Sequence, residues 1–134
     1  LPDLDLLSID IDGNDYWIWQ SIALPPRVLI IEYNAAFRPP ISWTIQYNES
    51  HRWNGSDYHG ASLQALHDLG RSKGYTLVGC SLSGVNAFFV RDDLLNGKFA
   101  EAGVAELYNP PRYYLLRLPG AHPHGEFGPY VSGG

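Results

Sequence analysis

The stretch Leu4-Asp5-Leu6-Leu7-Ser8-Ile9-Asp10-Ile11-Asp12-Gly13-Asn14-Asp15 decides how the rest of the chain is read. Residues Asp5 to Ile11 form a mostly apolar run rich in aliphatic side chains, the pattern of a strand buried in a parallel sheet. The run ends in carboxylates, then Gly13, then the start of a helical pattern. In open α/β sheets that junction lies outside the carboxyl end of the strand, where ligands bind. Asn14 or Asp15 is suited to cap the helix predicted over Tyr16 to Ile22, which Pro25-Pro26 closes off. Arg27 to Glu32 is a second buried strand, again ending on an acid. Strand, short helix and strand at this spacing predict a βαβ unit with a right-handed crossover.

Asp10 and Asp12 are two residues apart, so on a continuous strand they share a face. The second strand delivers Glu32 and, two residues on, Asn34. Parallel neighbours place such strand ends about 4.8 Å apart. Three carboxylates and an amide oxygen are then expected at one sheet edge. Hard oxygen donors of this kind suit Mg²⁺, Ca²⁺ or Mn²⁺. The other use of such a group is general-base chemistry by an acid whose neighbours raise its pKa. A purely structural alternative stands beside both: Asp12 capping the helix, and Glu32 pairing with Arg38 or Arg52.

Farther along, Asn34 to Gly60 is a long irregular stretch holding Trp43, Tyr47, Trp53, Tyr58, His51 and His59. Its aromatics argue against disorder, so an ordered lid or substrate wall is expected. His51 and His59 are candidates to reach the strand ends as bases or ligands. Ala61 to Lys73 reads as an amphipathic helix with Leu63, Leu66 and Leu69 on one face and Gly74 after its end. Tyr75 to Cys80 and Val85 to Arg91 read as an antiparallel hairpin. Residues 97–134 form an irregular tail rich in Pro, Gly and Tyr, with the last dozen residues expected to be mobile.

The 134-residue length fits one domain or a piece of one. A net charge of −5 with scattered Lys and Arg argues against a nucleic-acid surface. No apolar run is long enough to span a membrane, and no secretion signal is read. The two sequons, at Asn48 and Asn54, then read as chance matches. A single cysteine, Cys80, fits a cytoplasmic setting and reads as a structural thiol. The chain has no methionine and opens on Leu1-Pro2 beside a buried strand, so a fragment is expected.

The order of elements resembles the second half of a class I S-adenosylmethionine-dependent methyltransferase. Asp10 to Asp15 resembles the fourth-strand motif of FkbM-type methyltransferases, roughly apolar-Lys-Ile-Asp-apolar-Glu-Gly-x-Glu. Here Ser8 replaces the Lys, and Asp12 and Asp15 replace Glu. Val85 to Arg91 resembles the final antiparallel strand, and the likeness covers residues 3–95. It implies a partial Rossmann-like sheet over residues 1–96, with 34–60 as an inserted lid or substrate loop. It also implies S-adenosylmethionine as cofactor, with Asp10 facing it. The expected reaction is O-methyl transfer to a small-molecule or sugar hydroxyl, with Asp12, His51 and His59 as candidate catalytic groups. No Gly-x-Gly occurs in the chain, so the family's glycine-rich cofactor loop has no counterpart. The missing N-terminal half, or a second copy of the chain, is therefore an expected partner.

The arrangement is also similar to metal-dependent O-methyltransferases. By that likeness Asp10, Glu32 and Asn34 hold Mg²⁺ or Mn²⁺, which lowers the pKa of a substrate hydroxyl. Three rival readings remain: a scaffold domain that keeps the fold without catalysis, a haloacid-dehalogenase-like phosphatase using Asp10-Ile11-Asp12-Gly13, and a glycosyltransferase Asp-x-Asp metal site.

Overall fold

The computed structural model describes residues 4–116 and 128–133. Strand β1 (Leu6–Ile9) leads through helix α1 (Asp15–Ser21) to β2 (Val28–Glu32). After β3 (Trp43–Ile45) come helix α2 (Leu63–Ser72) and the hairpin of β4 (Tyr75–Cys80) and β5 (Asn86–Arg91). A one-turn helix α3 (Val104–Leu107) and strand β6 (Tyr130–Ser132) complete the order. The protein is mixed α/β, and its main sheet runs β1-β2-β5-β4. β1 and β2 are parallel, in register Leu6↔Val28 to Ile9↔Ile31. β5 lies antiparallel to both β2 and β4. The parallel pair and the hairpin thus appear as the sequence predicts. No helix among the described residues is long and apolar enough to cross a membrane.

Alternation along β2 and β5 sets the core. Leu29 and Ile31 face Phe89 and Ala87, and all four are fully buried. Val28, Ile30 and Phe88 on the opposite face are half-buried. Helix α1 contributes Trp19, whose ring stands 4.8 Å from that of Phe89. Helix α2 contributes Leu63, Leu66 and Leu69, and meets the same Phe89 ring at Gly70. Both helices therefore cover one face of the sheet. The Ser62 hydroxyl caps α2 by accepting the Ala65 N–H at 3.2 Å. Burying each of these large apolar side chains contributes roughly 1.5–3 kcal/mol.

Two expectations need correction. β1 stops at Ile9, before the expected Ile11, because the chain turns there: Asp12 adopts φ +55, and Ile11 and Gly13 both donate to the Asp15 carboxylate. The last residues of the tail were expected to be mobile. Instead Tyr130–Ser132 pairs antiparallel with β3, satisfying main-chain groups on both segments. The Tyr130 and Trp43 rings stack there at 5.5 Å. Nearer the hairpin, the Tyr108 hydroxyl donates to the Ala35 carbonyl and the Tyr33 hydroxyl to that of Asn109, each at 2.7 Å. The part of the tail over residues 117–127 lies outside the described residues.

Candidate functional site: a carboxylate cluster at the strand ends

Parallel pairing of β1 with β2 carries Asp10 and Glu32 to the same end of the sheet. The turn after β1 brings Asp12 beside them. One carboxylate oxygen from each of Asp10, Asp12 and Glu32 lies within 4.8 Å of the others. Asp10 and Asp12 are exposed, whereas Glu32 is 8% exposed. Their proximity does not arise from a shared strand face, because both aspartates lie past the last residue of β1.

Electrostatics follow from this crowding. Burial, and then the negative charges of Asp10, Asp15 and Asp12, push the Glu32 carboxyl up to about 8. Asp10 is also raised, by partial burial and then by Asp12 and Asp15, and its carboxyl meets that of Glu32 in a hydrogen bond. The buried Glu32 Oε2 receives no N–H or hydroxyl donor among the described residues. Neither Arg38 nor Arg52 pairs with Glu32: Arg38 lies over the Tyr108 ring, and Arg52 donates to the His51 carbonyl.

Asp15, an apparent fourth acid, is a structural group. It is fully buried, and its two oxygens accept from Ile11 N–H at 3.0 Å and Gly13 N–H at 2.9 Å. That clamp shapes the turn on which Asp10 and Asp12 sit. Asp12 does not cap α1. The residue at the cap, Asn14, makes no side-chain capping bond and instead joins Asn48.

The other candidates divide. Asn34 was expected to offer an oxygen to the cluster. It is buried instead within the 34–60 stretch, where its amide nitrogen donates to the Asp57 and His59 carbonyls. Its oxygen accepts the Ala36 N–H. His51 stands next to the turn, its Nε2 3.1 Å from the Asp12 carbonyl oxygen. Its ring occupies the space a Cβ at position 13 would take, so any side chain there displaces the His51 ring. His51 also lines a pocket of about 380 Å³ with Tyr47, Asn48 and Tyr58. His59 is 2% exposed, with its ring edge-on to Trp53 at 6.0 Å. Neither histidine joins the set of ligand atoms formed by the three carboxylates.

Tyr113 is a neighbour that sequence reasoning missed. Its phenol is pushed up by burial and then by the charges of Glu32 and Asp57. No local pattern around Arg112-Tyr113-Tyr114 marks it, because its place depends on the tail folding back. Burial pushes the Cys80 thiol up to about 12, which keeps it protonated near neutral pH.

The cluster can hold a hard cation or present a carboxylate as a base. No family model, curated protein or solved structure matches the chain.

Proposed function

We propose that this chain is the C-terminal half of a methyltransferase-like α/β domain of the FkbM type. Its reaction is O-methyl transfer from S-adenosylmethionine to a small-molecule or sugar hydroxyl, in a cytoplasmic setting. The observation that carries the reading is the meeting of Asp10, Asp12 and Glu32 at the carboxyl ends of two adjacent parallel strands. The parallel pair followed by an antiparallel hairpin supports it. So does the outer edge of β1, which pairs with no strand among the described residues. Leu6 on that strand is 51% exposed, unlike residues of a parallel strand that is covered on both faces.

The residues present do not fit the whole cofactor, since the chain has no Gly-x-Gly turn. Asp10 is its contribution to the cofactor side. Asp12 is the candidate base for the acceptor hydroxyl, and His51 and Tyr58 line the adjoining pocket. His59, buried against Trp53, has a packing role in this reading.

The test is titration of S-adenosylmethionine by calorimetry. The chain alone is expected to give little heat. A polypeptide joining it to a glycine-rich first half is expected to bind one equivalent, and Asp10→Ala to weaken that binding at least tenfold. Absence of binding in the joined polypeptide, with the fold intact by circular dichroism, contradicts the transferase reading. It favours a non-catalytic scaffold domain, the reading that the missing glycine turn supports.

A further inference from the structure

We infer that the cavity walled by Tyr47 and His51 is a binding site for an uncharged pyranose sugar. The cavity holds about 380 Å³ and is lined by Gln46, Tyr47, Asn48, His51, Tyr58 and Pro129, a size suited to a small molecule. None of these side chains is an acid, a lysine or an arginine. A phosphate or carboxylate ligand would therefore lose water there without meeting a cation. What the walls offer is aromatic face and uncharged hydrogen-bonding groups. A pyranose uses that combination: C–H groups on one face of its ring pack on an aromatic ring, and its hydroxyls pair with side-chain amides, which both donate and accept. A planar phenol would cover the Tyr47 ring and leave the amides unpaired.

Two further observations support the site. The fold does not use the groups that face it. Tyr47 is 56% exposed, and its side chain makes no hydrogen bond or ring contact among the described residues. The exposed Gln46 side chain and the Asn48 amide nitrogen also make no hydrogen bond there. The backbone that carries these groups, by contrast, is held firmly. Gln46 N–H donates to the Pro129 carbonyl at 3.2 Å, and Trp17 Nε1–H to the Ile45 carbonyl at 2.9 Å. The Asn14 amide nitrogen donates to the Asn48 carbonyl at 2.7 Å, and its oxygen accepts the Asn48 N–H at 3.2 Å. Groups fixed in advance lose less entropy on binding. The His51 wall stands 3.1 Å from the Asp12 carbonyl oxygen, so a bound sugar lies beside the carboxylate turn.

Such a site deepens the transferase reading by making the acceptor a sugar, and it rests on that reading only for the fate of the sugar once bound. The test therefore omits S-adenosylmethionine, and its failure is distinct from failure of cofactor binding. The full chain, labelled with nitrogen-15, is titrated with the methyl α-glycosides of glucose, mannose, galactose and fucose, each to 50 mM. At least one is expected to shift the amide signals of Gln46, Tyr47, Asn48 and His51 to saturation. Tyr47→Ala is expected to weaken that binding about fivefold or more, and Tyr47→Phe to keep it within about twofold. Tyr114→Ala, outside the cavity, is expected to leave it unchanged. If Tyr47→Ala does not fold, Gln46→Ala takes its place. Equal binding by wild type and Tyr47→Ala overturns the proposal, as do shifts confined to other residues or no shifts with any of the four glycosides. Tighter binding of phenol or of glucose 6-phosphate than of the best glycoside also overturns it, because the cavity then selects a plain aromatic or an anion.

Discussion

Asp15 shows how a single side chain can serve a site without belonging to it. Its carboxylate ties Ile11 N–H and Gly13 N–H, and the turn so formed carries Asp10 and Asp12. Asp15→Ala leaves two main-chain donors without that partner, at a cost of roughly 1–3 kcal/mol for each one that stays buried. Chemical denaturation is expected to show a loss of at least about 1 kcal/mol. The amide resonances of Ile11 and Gly13 are expected to move with it. An unchanged midpoint would mean that the clamp does not shape the turn. From sequence, Asp15 is one of several interchangeable acids. Which acid faces solvent and which faces the backbone depends on Asp12 taking φ +55, which the order of residues does not announce.

Among the elements, α2 packs closely against the sheet at Gly70. A Cβ at Gly70 would lie 2.9 Å from Phe89 Cε1 and 3.0 Å from Trp19 Cη2. Gly70→Ala therefore forces these rings apart, and overpacking of this kind costs about 1–3 kcal/mol. The added helix propensity of alanine, about 1 kcal/mol, offsets part of that cost. Net destabilisation in urea is the expected outcome. Gly79→Ala, where nothing lies within 4 Å of the added carbon, is expected to stay within about 0.5 kcal/mol of wild type. Elements that announce themselves by local pattern were legible: the aliphatic runs of β1 and β2, the leucine spacing of α2, and the hairpin around Ser81-Leu82-Ser83-Gly84. The β3–β6 pair was not legible. It joins three-residue segments separated by most of the chain, and segments that short carry almost no periodic signal.

At the scale of the whole molecule, the candidate site was legible in part for the same reason. Asp10 and Glu32 end two recognisable strands, and parallel pairing brings them together. Asn34 and His59 follow the same logic in sequence, yet the 34–60 stretch turns both inward to hold its own backbone and aromatic packing. The folded molecule thus keeps one acid, Glu32, in a place that penalises its charge. In the metal-free protein Glu32 holds its proton up to about pH 8, whereas its ordinary value is 4.5. The folded state therefore binds more protons than the unfolded state across that window, and stability falls as pH rises through it. Each pKa unit corresponds to about 1.4 kcal/mol. The most direct measurement is urea unfolding of metal-free wild type and Glu32→Gln at intervals from pH 5 to pH 9. The account predicts that wild type loses stability relative to Glu32→Gln as pH rises, by about 2 kcal/mol or more at pH 9. Two parallel stability profiles would contradict it, because Glu32 would then ionise as freely in the folded protein as in the unfolded chain.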